Sequence, residues 1–370
     1  MIKLVDLKAQ HQNLQSELES AFLTVLEKEQ FILGSQVHQL ESAFADYHHC
    51  QYGIGVSNGT DALMIALKAL NIGEGDEVIL PTMTFFATAE AVYQVGARPV
   101  LVDVEPETLG LEPILTEKAI TANTKAIVPV HLHGWAVPLE PFLLIAQKYN
   151  LIIVEDCAQA HGASENGYPV GSRTQAGCFS FFPSKNLGAL GDGGMITSND
   201  EVLAKRMRAL ANHGRSEKYL HHENGYNARL DELQAAFLNV KFPHLETWNE
   251  QRRQLAQRYN VALAGLPLQL PPDWDKQCQP CFHLYVIHCE DKNTREQLAN
   301  FLKNHEIQTG VHYPVPLHLQ PALTFLGYEE GRFPVAEKAA HCILSLPIYG
   351  GMTHEQQDYV IEKIIQFFKG

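Results

Sequence analysis

Gly53-Ile54-Gly55-Val56-Ser57-Asn58-Gly59-Thr60-Asp61 decides the architecture of this chain. Gly53–Ser57 reads as a short buried strand, and the Asn58-Gly59 turn leads straight into an apolar helix, Asp61–Leu70, closed by Gly73. The alternation continues outward. Glu77–Leu80 predicts a strand, Ala87–Val95 a helix and Pro99–Val104 a strand, with further short apolar runs at Ala126–Val130, Leu151–Val154, Cys178–Phe181 and Gly194–Thr197. Such runs separated by helical stretches predict βα units, an α/β fold with a mostly parallel central sheet and helices on both faces.

On the amino-terminal side, Leu14 to Ala45 is helical in pattern, with Leu14, Leu18, Ala21, Phe22, Val25 and Leu26 on one face and a break at Phe31-Ile32-Leu33-Gly34. On the other side, an amphipathic stretch from Asp231 to about Tyr259 precedes a proline cluster, Pro267, Pro271 and Pro272. Beyond it, Phe282–Cys289 reads as a strand, and Thr294–Asn304 and Glu355–Phe368 as helices. A large domain over residues 1–241 and a smaller α+β domain over 242–370 are expected.

The balance of charge narrows the partners. Lys+Arg 28 against Asp+Glu 42 gives a net charge of −14, which disfavours wholesale binding to nucleic acid or to an anionic membrane. MIKLVDLKAQ lacks the apolar core of a signal peptide, and the longest charge-free stretch, Ile307 to Tyr328, is broken by Pro314, Pro316 and Pro321, so no membrane span is expected. Seven scattered cysteines do not form a secreted disulfide framework, and a reduced cytoplasmic setting is expected.

Three places carry chemistry. Gly55-x-Ser57-x-Gly59 at a strand-to-helix turn matches a hydrolase nucleophile elbow with Ser57 as nucleophile. It also matches an anion cradle, with Gly59 letting backbone approach closely and Thr60 offering a hydroxyl at a helix N-terminus. A plain helix cap is the third reading. Only about fifty largely helical residues precede this turn, whereas an elbow normally follows several strands, so the cradle leads. Second, Leu151-Ile152-Ile153-Val154-Glu155-Asp156 runs four aliphatics into a carboxylate, which puts Asp156 at the carboxyl end of a buried strand, where α/β sheets bind ligands. A capping acid for the next helix is the competing reading. Third, Lys185 ends the aromatic run Phe179-Ser180-Phe181-Phe182 and precedes Gly188, Gly191, Gly193 and Gly194. The glycines follow the lysine, so this is no P-loop, and desolvation would lower the amine's pKa and free it as a nucleophile.

A phosphate cradle, a buried carboxylate to hold a pyridine nitrogen protonated and a desolvated lysine are together what pyridoxal phosphate requires. Thr84-Phe85 would supply a flat ring against it. The histidine and cysteine clusters are discounted. Cys278-x-x-Cys281 with His283, His288 and Cys289 lacks a second CxxC, and His131-x-His133 lacks a supporting ligand set, so no metal is expected. His48-His49 and His221-His222 are read as solvated pairs.

The stretches SNGTDAL, PTMTFFATAEAV, VEDCAQAHGA, SFFPSKNLGALGDGG, NHGRSEKY, GYNARLDELQAA and HYPVPLHLQPA, in that order, resemble the DegT/DnrJ/EryC1/StrS aminotransferases, which act on nucleotide-linked keto sugars. The resemblance runs essentially from end to end. It implies the fold type I, aspartate-aminotransferase-like architecture and a homodimer with active sites at its interface. Lys185 would be the lysine that bonds the cofactor, Asp156 the partner of the pyridinium, Gln159 a contact on the ring-hydroxyl side and Phe85 the stacking ring. Gly59, Thr60 and Ser180 would hold the phosphate, with Asn227 reaching it from the other subunit. Relatives with histidine at the lysine position are dehydratases; Lys185 is kept here, which implies transamination. His312-Tyr313 is similar to the segment of members that aminate C3, so glutamate as donor and a dTDP-linked 3-keto-6-deoxyhexose as acceptor are expected, with a C4 ketone or a UDP-linked sugar as the alternative. Lys218 and Arg229 are further candidates for substrate contact. A serine hydrolase built on Ser57 and a non-catalytic nucleotide-sugar binder are the rivals from other classes.

Overall fold

The computed structural model of the chain describes residues 1–369. Its centre is a seven-stranded sheet in the order Tyr52–Val56, Gly194–Ser198, Ala176–Ser180, Ile152–Asp156, Thr124–Ile127, Glu77–Pro81, Arg98–Val102. Gly194–Ser198 runs antiparallel to both its neighbours, and all other pairs are parallel. Six strands therefore end at one edge, where Asn58-Gly59, Thr84-Phe85, Asp156 and Ser180 collect. The predicted α/β architecture is the observed one.

Covered sheets explain the near-continuous apolar runs. The helix Gly59–Ala69 is buried at Ala62 through Leu67 and at Ala69, so it lies inside the protein rather than on it. Asn58 caps it by accepting the N–H of Asp61 at 2.8 Å. A second core under the sheet is aromatic: Phe44 meets Phe179 edge-on at 4.9 Å between ring centroids and Phe181 at 5.4 Å.

The stretch from Asp231 is two helices, Glu232–Lys241 and Leu245–Leu263, separated by a turn over Phe242–His244 because Pro243 cannot donate to the helical ladder. A three-stranded antiparallel sheet, Leu268–Gln269, Tyr285–Cys289 and Ile343–Leu346, follows. The helices Leu245–Leu263, Lys292–Asn304 and His354–Lys369 pack around it. The first residues of the chain join this second unit. Ile2 donates to Glu306 at 2.7 Å and accepts from Gln308 at 2.9 Å, while Ile2, Val5 and Ala9 pack against its core.

The pairing of histidines needs one correction. His48 is not solvated: it is fully buried, its Nδ1 3.0 Å from Val170 O and its ring 4.5 Å from Phe44. The neighbouring His49 is exposed, as are His221 and His222. Among the described residues, no helix is long and apolar enough to cross a membrane, and all seven cysteines are free thiols.

Candidate active site

At the carboxyl edge of the sheet lies a cavity of about 640 Å³. Gly59, Thr60, Phe85, Asp156, Gln159, Ser180, Lys185, His312 and Tyr313 all line it. Nine residues spread over 255 positions of sequence thus meet in one place, because parallel strands deliver their exits to the same edge.

Asp156 is the deepest of them, 5% exposed. Its Oδ2 accepts from the Thr88 hydroxyl at 2.8 Å and its Oδ1 from the Ala158 N–H at 3.1 Å. Thr88 in turn is 3.0 Å from the Thr84 hydroxyl, so a short chain of hydroxyls feeds the carboxylate. Burial pushes the Asp156 carboxyl above its ordinary pKa, against the opposing pull of these donors and of Lys185. Thr88 escaped the sequence reading; its signal was the i, i+4 spacing from Thr84 at the start of a helix.

The strand beneath is locked from its other face. Glu155 accepts from Thr174 at 2.7 Å, from the Gly171 N–H at 2.8 Å and from His131 Nε2 at 2.9 Å. His131 Nδ1 accepts the Val137 N–H at 2.9 Å, so the ring proton sits on Nε2 and both nitrogens are engaged. The group His131, Glu155 and Cys157 has metal-ligand spacing, but this imidazole has no lone pair left to give a cation.

Lys185 is half-buried in the cavity wall, and neither a carboxylate nor any other acceptor among the described residues hydrogen-bonds its Nζ. Desolvation lowers its pKa to about 8, even though Asp156 pulls the other way. An unpaired amine of that kind is half free base at about pH 8, where an ordinary lysine is almost wholly protonated.

Elsewhere in the lining, Gln159 Nε2 donates to the Tyr313 hydroxyl at 2.9 Å, and its Oε1 accepts the His133 N–H at 2.7 Å. His133 Nε2 donates to His312 O at 2.9 Å. Burial holds His133 near pKa 3 and His312 near 4, so both rings are neutral. The Phe85 ring stands 5.7 Å from that of Tyr313.

Three candidates lie elsewhere. Asn227 and Arg229 hydrogen-bond each other, and Arg229 also donates to Asn212 at 2.8 Å; Lys218 sits exposed over the Tyr219 ring. Ser57 is outside the cavity lining as well. Its hydroxyl donates to Asp61, and no histidine is bonded to it, so the hydrolase elbow lacks its base. His283, discounted as a zinc ligand, lines the cavity.

The family model described as DegT/DnrJ/EryC1/StrS aminotransferase matches residues 12–365. The chain belongs to this aminotransferase family.

Its relatives span its whole length. It is 47% identical to the "Pleiotropic regulatory protein" of Geobacillus stearothermophilus (100% of this chain, 99% of the relative). It is 45% identical to the UDP-N-acetyl-3-dehydro-alpha-D-glucosamine 3-aminotransferase of Acidithiobacillus ferrooxidans (96% and 95%). With the dTDP-3-amino-3,4,6-trideoxy-alpha-D-glucose transaminase of Streptomyces venezuelae it shares 42% (98% and 95%). Among solved structures, S. venezuelae DesV in complex with a ketimine intermediate superposes with a TM-score of 0.97 at 40% identity, covering 100% and 99% of the two chains. Bacillus subtilis NtdA with bound cofactor PMP gives 0.92 at 32% (98% and 84%). As a member of this family, the chain is a pyridoxal-phosphate-dependent aminotransferase.

The residues present fit that cofactor. A Cβ on Gly59 would stand 2.7 Å from Ser180 Cβ, so the glycine keeps open a niche between a helix N-terminus and a serine hydroxyl. Gly59→Ala closes it. We expect phosphate-dependent affinity for pyridoxal phosphate to fall by about tenfold or more, the equivalent of about 1–3 kcal/mol of overpacking. Titration of the apoprotein with cofactor measures it, and unchanged affinity would place the phosphate elsewhere.

Proposed function

We propose that this family member moves the amino group of an amino acid, glutamate, onto the keto group of a nucleotide-linked deoxy sugar, a dTDP-linked 3-keto-6-deoxyhexose. The observation that carries this reading is the pairing in one cavity of an uncharged-capable lysine amine with a buried, donor-fed carboxylate. The names of the relatives add the sugar. Because the relative that acts on a UDP-linked sugar is 45% identical and the dTDP one 42%, a UDP-linked 3-keto sugar is the second reading.

Bound in this cavity, pyridoxal phosphate would supply an electron sink for the carbon that gains or loses the amino group. Asp156 would hold the proton on the pyridine nitrogen, its charge kept in place by Thr88 and the Ala158 N–H. Lys185 would take the proton from Cα of the donor and return it at the cofactor's C4′, across the amino nitrogen, as general base and then acid. Gly59, Thr60 and Ser180 would seat the phosphate, Gln159 would meet the ring-hydroxyl side, and Phe85 would cover one face. His312 and Tyr313, in the lining of the same cavity, would meet the sugar.

The same proposal includes a homodimer. Phe22, Leu23, Leu26, Phe31 and Ile32 leave large apolar side chains exposed on one helix and the loop after it, more than a lone soluble surface usually shows in one place. Asn227, Lys218 and Arg229, outside the lining of their own cavity, would then serve the neighbouring copy's. Residues 1–241, apart from the first residues that pack on the second core, would act as the cofactor unit and 242–370 as the smaller one, in the cytoplasm.

A visible absorption spectrum tests the reading. The purified protein should carry a yellow band that bleaches toward the near ultraviolet with glutamate and returns with the right keto sugar. Recovery with a UDP-linked but not a dTDP-linked substrate would favour the second reading. A protein that stays colourless after incubation with pyridoxal phosphate would remove both.

A further inference from the structure

His283 sits in the wall of the cavity that holds Lys185, 6% exposed, and nothing in the scheme above uses it. Its ring orientation follows from a directional chain. The carbonyls of Cys281 and His161 can only accept, so they fix two amides. Asn249 Nδ2 donates to His161 O at 2.8 Å, which leaves Asn249 Oδ1 to accept from Asn186 Nδ2 at 2.8 Å. Asn186 Nδ2 also donates to Cys281 O at 2.9 Å. Asn186 Oδ1 is thereby an acceptor, and it lies 3.2 Å from His283 Nδ1. The ring proton must therefore be on Nδ1, and Nε2 carries a lone pair.

That second nitrogen has no protein partner among the described residues, and it is not one of the buried polar atoms sealed away without one. The cavity is the space onto which it opens. The backbone here is braced too: buried Arg252 donates to Phe282 O at 3.2 Å and to Ile348 O at 2.9 Å, so the histidine is held from both ends.

We propose that His283 is a positioning residue for Lys185, its Nε2 accepting a hydrogen bond from the lysine amine once the amino-acid donor occupies the cavity and has displaced that amine from the cofactor. This rests on Lys185 being the reactive amine. The bond would turn one N–H of the amine toward the wall and leave the nitrogen lone pair facing the substrate carbon. Asn186, the residue after Lys185, thus ties the imidazole to the lysine's own backbone, so the two move together. The ring stays neutral in this role: burial, Lys185, Arg252, His312 and His161 all depress its pKa well below the ordinary value. No proton leaves Lys185 for the imidazole.

Two measurements on the holoenzyme test the proposal. Side-chain nitrogen NMR of histidine-labelled protein should show His283, assigned by its loss in His283→Gln, as the neutral Nδ1–H tautomer. The glutamate half-reaction should slow about three- to tenfold in His283→Phe, the size of one lost hydrogen bond, with the KM for glutamate unchanged. His283→Gln, whose side-chain carbonyl can accept in the same place, should recover most of the rate. A proton on Nε2, or a His283→Phe enzyme with the wild-type half-reaction rate, would overturn the proposal. Its failure is separable from failure of the lysine assignment, which shows instead as a Lys185→Ala protein still bonded covalently to cofactor.

Discussion

Lys185→Ala should fold, take up pyridoxal phosphate without a covalent bond to it, and lose amino transfer by on the order of 10⁴-fold, the upper range for removing a positioned acid–base group. The geometry gives the reason. The amine stands in a cavity wall with no acceptor among the described residues to tie it down, and desolvation brings its pKa to about 8. The sign matters for the control experiment. A lowered pKa means the folded protein resists protonating this amine, so the free base accumulates above about pH 8 rather than above the ordinary 10.5. Labelling of apoprotein by an amine-directed reagent should therefore rise through about pH 8 at Lys185, read peptide by peptide because burial lowers Lys241 to about 8 as well, and the Lys185 signal should vanish in the alanine variant. An alanine variant that transfers amino groups at the wild-type rate would end the assignment.

Asp156→Asn is the second large effect. The amide keeps the shape and can still accept the Ala158 N–H, but the atom facing Thr88 becomes a donor where Thr88 itself now donates at 2.8 Å. Thr88 would have to turn and reverse its bond with Thr84. More costly is the loss of charge: a pyridinium left in this buried position without its anion costs about 3–5 kcal/mol, a fall of roughly 10²- to 10⁴-fold in turnover. Steady-state rates at saturating cofactor separate this from weaker binding. Near-normal turnover would mean that another group holds the ring proton.

Much of this site was legible because parallel strands have a strong signature. Four aliphatics ending in Asp156, and an aromatic run ending in Lys185, mark strands that finish at a common edge, and the structure brings both ends into one cavity. Helix capping was legible at Asn58 for the same local reason. What the sequence concealed depends on contacts between distant segments. His48 follows a helix and looks like half of a surface pair, yet Phe44 and Phe179 enclose it. Thr88 and His283 carry no local mark of function, since one needs Asp156 across 68 residues and the other Asn186 across 97. The break at Phe242-Pro243 was readable in principle, but the apolar spacing on both sides of it is continuous. Asn227, Lys218 and Arg229 came only with the family resemblance, and nothing within one chain gives them a cavity to serve.

Residues 2–9 fasten the second unit to the helices that lie beside the large sheet. Ile2 forms a strand-like bridge with Ile307, and the chain then crosses to the helices that lie against the large sheet before entering it at Tyr52. The second unit is thus assembled from segments as far apart in sequence as residues 2 and 307, and pairing over that range makes the three-stranded sheet the late event in folding and the seven-stranded one its template.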